Sequence, residues 1–295
     1  MKKERLIATQ TQTYDVDIAD IEYLSHGEPP LLARVYKPIG SGPFPIMVEL
    51  HGGAWVNGNR LNGDSANEAL AKNGVIVIAL DFRVPPEASY RASLADINYG
   101  IRWAKTQAES WNGGTGRIGA MGTSSGAHQA MLLGMRPNDS RYSNLQLPEN
   151  TTLVDGPLDC VILISSVIDP LSRYLYAKGL RDDCTQPEGM GDRTPAFHEQ
   201  YWQAEEAMAE GAPARILACG ENTMMPPVLC LARSYEAAHP APEREEFVRQ
   251  YRNSGGQIKE KITDGKGDGL LSDISSSVGK QTLAQMTSFI QRHLG

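Results

Sequence analysis

The chain has 295 residues, 41% of them hydrophobic and 21% charged, with a formal net charge of -7. That is enough apolar mass for one large core, and a usual length for a single α/β domain with an insertion. The acidic balance argues against nucleic-acid and anionic-membrane partners, and no run has transmembrane length.

Met1-Lys-Lys-Glu-Arg5 is followed by no apolar run of the signal-peptide kind. Cys160, Cys184, Cys219 and Cys230 are scattered without C-x-x-C spacing. A reduced, cytoplasmic protein without structural zinc is therefore expected.

In chain order, residues 13–23 and 31–36 alternate apolar with polar side chains and read as strands, an antiparallel start to a sheet. Turn residues 39–45 lead into a short apolar strand, 46–50, and then His51-Gly-Gly-Ala-Trp55. A helix is predicted over 64–73, stopped by Gly74, and a β-branched strand over 75–80. Residues 92–111 repeat at helical spacing, with Leu94, Ile97, Ile101 and Ala104 on one face.

A strand is expected over 117–121, a sharp turn at 122–126 and a helix from Ala127. Another buried strand follows at 160–164. Residues 169–213 break the rhythm and read as an inserted cap. Further strands at 226–231 and 258–262 flank a helix at 242–253, and a last helix spans 275–294. This alternation implies one α/β domain over 1–295, a mostly parallel sheet covered by helices on both faces, with a small cap.

Gly122-Thr-Ser-Ser-Gly126 fits G-x-S-x-G, between strand and helix, which is where a nucleophile elbow holds its serine. The glycines would make room for a strained turn at Ser124. The Gly-Gly loop after residues 46–50 can aim backbone N–H groups at one spot, as acyl transfer requires when charge develops on a carbonyl oxygen. No G-x-x-x-x-G-K-[ST] or G-x-G-x-x-G appears, and no metal-ligand spacing, so no cofactor is expected.

The His51-Gly-Gly loop and the Ser124 elbow together resemble the α/β-hydrolase fold, in particular the hormone-sensitive-lipase-like esterases. Asp81-Phe-Arg-Val-Pro-Pro-Glu87 is similar to that family's D-Y-R-L-A-P-E, and Leu94-Ala-Asp96 with Trp103 to its L-x-D…W helix. His51-Gly-Gly-Ala-Trp55 is also similar to the H-G-G-x-W loop of kynurenine formamidases.

The resemblance implies Ser124 as nucleophile and the N–H groups of Gly53, Ala54 and Ser125 as oxyanion hole. It places the acid at Glu236, with Arg233 where the family has glycine, and puts Asp268 at the position of the catalytic histidine. It also implies a small-molecule substrate, with homodimers common in the family.

Asp268 is the departure that matters. A serine hydroxyl needs a base as it attacks, and imidazole, with an unperturbed pKa of roughly 6.5, suits that role where a carboxylate of roughly 3.9 does not. His239, three residues past Glu236, is the best-placed substitute. His128 reads as a helix residue packed near the sheet, His51 as a brace for the oxyanion loop and His198 as an exposed cap residue; His26 and His293 look peripheral.

Asp81, Arg83 and Asp96 read as structural. Three functions stay open: a serine hydrolase of small carboxylic esters or amides with a degenerate triad, a lyase or cyclase on the same scaffold, and a disarmed binding protein like the gibberellin receptors that resemble this family.

Overall fold

The computed structural model describes residues 13–148, 154–182, 193–267 and 269–295. One eight-stranded sheet runs through it in the order β1-β2-β4-β3-β5-β6-β7-β8. β1 (Val16–Leu24) pairs antiparallel with β2 (Leu31–Pro38), and β2 antiparallel with β4 (Ile76–Leu80). The remaining pairs, through β3 (Ile46–Leu50), β5 (Gly119–Thr123), β6 (Cys160–Ile164), β7 (Val228–Tyr235) and β8 (Ile258–Lys266), are parallel. The antiparallel start and parallel body follow the sequence pattern: β3, β4 and β6 are buried along their whole length and are continuous apolar runs but for Glu49.

Side-chain alternation splits the core into two layers. On one face Val48, Ile78 and Leu163 pack against α2 (Ala92–Gln107), α3 (Ser125–Met135) and α8 (Ala241–Asn253). The predicted stripe of Leu94, Ile97, Ile101 and Ala104 is buried there. On the other face Met47, Val77 and Met121 meet α1 (Asp64–Lys72) and α9 (Ser277–Leu294). Glu49, two residues after Met47, falls on this second face.

α2 stops at Gln107, and a 3-10 turn over Glu109–Trp111 completes the stretch read as one helix. Between β6 and β7 lie α4 (Pro170–Asp182), α5 (Arg193–Trp202), α6 (Glu205–Glu210) and α7 (Pro213–Ala218), the stretch where the sequence breaks rhythm. Tyr174, Tyr201, Trp202 and Met208 from these helices form a separate apolar cluster around Trp55. His198 is wholly buried in it, edge-on to Trp55 at 5.0 Å, which corrects the expectation of an exposed cap histidine. An aromatic-rich insertion without a share in the sheet core has to build its own, and His198 was drawn in with its ring neighbours.

β7 and β8 run past their apolar segments. Pairing continues through Arg233↔Thr263 and, after a register shift, to Tyr235↔Lys266. Ser234 donates to Asp264 Oδ1 at 3.0 Å across this extension. Beyond the buried Ala232 the side chains are partly or fully exposed and carry no apolar signature, so the strand expected to stop at 231 runs on to Tyr235.

Candidate active site

β5 ends at Thr123 and the chain turns into α3 through Ser124, whose φ of 54° lies in the left-handed region. A non-glycine residue held there is strained, a condition that clusters at functional sites. The glycines explain how it fits. A Cβ at Gly122 would fall 2.4 Å from the Gly126 carbonyl carbon, and one at Gly126 would fall 2.1 Å from Leu50 O. Both would collide with backbone, which cannot yield as a flexible side chain does.

The His51-Gly-Gly loop leaves β3 alongside this turn. A Cβ at Gly52 would lie 3.5 Å from Ser124 Cβ. Gly53 (φ 121°), Ala54 (φ 52°) and Trp55 (φ 65°) are three successive left-handed residues. The Gly53 carbonyl accepts from Val56 N at 3.1 Å and Asn57 N at 3.0 Å, which turns it into its own loop. The N–H groups of Gly53, Ala54 and Ser125 have no acceptor among the described residues. Ser125 N–H also sits at the positive end of an 11-residue helix.

His51 stacks on Phe82 at 4.1 Å and its Nδ1 donates to Gly52 O at 2.8 Å, so it braces the loop as expected. Burial lowers its pKa and keeps the ring neutral. On the far side, Trp55 Nε1 donates to His128 Nδ1 at 3.2 Å, while His128 Nε2 donates to Gly211 O at 2.8 Å. His128 therefore ties the loop to the inserted helices, and burial pushes its pKa down to about 4.

The imidazole that the sequence left without a fixed place stands on Ser124. His239 Nε2 lies 3.0 Å from Ser124 Oγ. The extended β7 brings Glu236 to the strand end, and a turn closed by His239 N donating to Glu236 O at 3.2 Å swings the ring back toward the elbow. Arg173 of α4 steadies this turn by donating to Ala238 O at 2.8 Å.

Glu236 is buried. Its Oε1 accepts from Ser165 Oγ at 2.7 Å and Arg233 N at 2.8 Å, and its Oε2 lies 3.9 Å from His239 Nδ1. That last distance is an ion-pair contact rather than a hydrogen bond. Ser124, Glu236 and the Gly53–Ser125 cradle are thus brought together. Asp268, expected at the base position, lies outside the described residues.

Asp96 is fully buried and takes Arg83 in a two-pronged bond of 2.8 Å on each side, with His26 Nε2 at 2.8 Å. Asp81 holds Arg60. These groups support the loop behind the site, so His26 is tied in rather than peripheral.

A cavity of about 530 Å³ opens at the elbow. Ser124, His239, Gly52 and Gly53 line it, together with Glu49 of β3, Asn67 of α1 and Met286 of α9. Among the described residues none from α4 to α7 lines it, so these helices buttress the His51-Gly-Gly loop rather than wall this cavity.

A parallel sheet with a strained serine at a strand-to-helix elbow, facing a glycine loop, defines the α/β-hydrolase fold. The BD-FAE family model matches residues 34–172. Esterase LipC of Mycobacterium tuberculosis is 31% identical over 43% of this chain and 30% of its own length. Carboxylesterase NlhH of the same species is 29% identical over 50% of each chain. The chain thus spans half or less of these relatives.

Esterase B from Lactobacillus rhamnosis superposes with a TM-score of 0.76 at 16% identity, covering 94% of this chain and 86% of that one. The hyperthermophilic esterase of Pyrobaculum calidifontis does so with 0.74 at 20%, covering 96% and 85%. These likenesses establish the fold. The chain has the α/β-hydrolase fold, and its sequence is similar over part of its length to hormone-sensitive-lipase-like esterases.

Proposed function

We propose that this protein is a serine hydrolase of small carboxylic esters, using Ser124 as nucleophile, His239 as base and Glu236 as the carboxylate beside it. The observation that carries the reading is the 3.0 Å contact between Ser124 Oγ and His239 Nε2. A base within hydrogen-bond reach is what a serine hydroxyl needs. The names of the matched relatives, esterase LipC and carboxylesterase NlhH, point to the same substrate class.

For Oγ to donate to Nε2, the ring proton sits on Nδ1, the edge nearer Glu236. Ser124 Oγ attacks the carbonyl carbon as Nε2 takes its proton, and the carbonyl oxygen becomes an oxyanion. The N–H groups of Gly53, Ala54 and Ser125, which donate to no acceptor among the described residues, would receive it. The imidazolium then carries the positive charge near the Glu236 carboxylate and returns its proton to the departing alkoxide. Water, activated by the same ring, hydrolyses the acyl-serine. The 3.0 Å contact of His239 with Ser124 supports this reading over a disarmed binding protein or a lyase.

The test is turnover of p-nitrophenyl butyrate by the native chain and by Ser124→Ala, His239→Gln, Glu236→Gln and Asp268→Asn. The expected loss is about 10⁶-fold in kcat for the first two, the scale seen when a triad serine or histidine is removed. Glu236→Gln is expected to lose at least tenfold, and more than Asp268→Asn. A His239→Gln enzyme at native rate refutes the base assignment, and a larger loss from Asp268→Asn moves the acid to Asp268.

A further inference from the structure

The cavity that Ser124 lines is also lined by a group the hydrolytic chemistry does not use. Glu49 is the fourth residue of β3 and one place before the end of the strand, on the face covered by α1 and α9. It is 7% exposed, and its Oε2 is buried without a hydrogen-bond partner among the described residues. Asn67 of α1 stands beside it, but the Asn67 Nδ2 is also buried and unpartnered. Among the described residues no cation lies against Glu49, although a buried carboxylate left alone is among the costliest groups a fold can hold.

The rest of the wall shows what belongs there. The described lining residues include the carboxylates of Glu49 and Asp64 and no lysine or arginine. Asp64 is already engaged by Tyr36 and Arg34, which leaves Glu49 as the uncompensated charge. Leu70, Met121, Ile164 and Met286 give the same cavity an apolar wall.

Glu49 pairs in register with Met121, three residues before Ser124. At about 3.3 Å per strand residue the carboxylate row is roughly 10 Å from the nucleophile's backbone. The leaving group must escape to solvent, so the part of a substrate held against Glu49 is the acyl chain.

We propose that Glu49 forms the end of an acyl pocket that selects substrates whose acyl chain carries a primary ammonium group, five or six carbons from the scissile carbonyl. The proposal rests on the hydrolase reading for the word acyl, but the head-group preference does not. The ammonium would supply the cation that Glu49 lacks, and the apolar wall would take the methylenes between.

Two measurements keep the two readings apart. First, calorimetric binding of hexylammonium chloride and of 1-hexanol is compared on the native chain and on Glu49→Gln. The expected result is hexylammonium binding at least tenfold tighter than hexanol, with that preference lost in Glu49→Gln. Equal binding of the two probes by the native chain overturns the proposal, and this comparison does not need the variant to fold.

Second, kcat/KM is measured for p-nitrophenyl 6-aminohexanoate and its near-isostere p-nitrophenyl heptanoate, with Ser124→Ala as control. The amino ester is expected to be favoured at least fivefold, and Glu49→Gln to lower the amino-to-alkyl ratio at least tenfold. Ser124-dependent turnover with no amino preference overturns the pocket and leaves the hydrolase standing. Glu49-dependent ammonium binding with no turnover of either ester supports the subsite and overturns the hydrolase reading.

Discussion

Replacing Glu49 by glutamine is expected to stabilise this protein, and by an amount that depends on pH. Burial pushes the Glu49 carboxyl from an ordinary 4.5 up to about 7, with Asn67 pulling weakly the other way. Below about pH 4.5 the group is protonated in the folded and the unfolded chain, so it has no effect on the pH slope. Between 4.5 and 7 the folded chain keeps a proton that the unfolded chain releases. The folded state then binds more protons, and stability falls as pH rises. Above 7 the penalty is complete.

At 1.36 kcal/mol per pH unit of difference the full penalty is about 3 kcal/mol. Near-total burial of the side chain means that solvent screening takes little away. For a chain of this length the entropy of unfolding is about 0.6 kcal/mol per degree, so the gap in Tm reaches about 5 °C.

The assay is thermal unfolding of native and Glu49→Gln protein from pH 4.5 to 8. The buffer should be phosphate or acetate rather than an amine, which could itself occupy the pocket. Because every other titrating group is shared, the Tm difference isolates Glu49. A difference that grows with pH and levels off near 8 is expected. A difference that stays flat across the range refutes the claim that Glu49 is buried without a compensating cation.

The elbow makes a steric prediction: Gly126→Ala places a methyl 2.1 Å from Leu50 O, and the urea midpoint should fall by an amount corresponding to about 3 kcal/mol. An unchanged midpoint would mean the turn is looser than described. Ser165→Ala removes the 2.7 Å donor to Glu236 and should lower kcat on p-nitrophenyl butyrate about tenfold with KM little changed, measured by initial rates. Burial holds His128 down to about 4 against an ordinary 6.5, so the unfolded chain binds more protons between those values and the native protein loses stability as pH falls from 6.5 to 4. His128→Gln should flatten that part of the stability profile, and an unaltered slope in chemical denaturation would show that His128 is not the group responsible.

Sequence alone determined the architecture and half of the candidate site. Continuous apolar strands, helical stripes such as Leu94, Ile97 and Ile101, and two glycine motifs are local patterns, each produced by burial of one face or by backbone that only glycine permits. The sequence therefore located Ser124 and the Gly53 loop, because the elbow and the loop are made of neighbouring residues. The partner of Ser124 is a different matter. His239 meets it across 115 positions, and does so because β7 runs on through polar residues before turning.

Neither the length of an exposed strand extension nor the direction in which the following turn throws a side chain is written in hydrophobic periodicity. The same holds for Glu49. In the sequence it is one acid in an apolar strand, and only the packing of α1 and α9 over that face makes it a buried charge in the wall of a cavity. Long-range pairing of polar groups is set by how the layers stack, and stacking is a property of the whole fold.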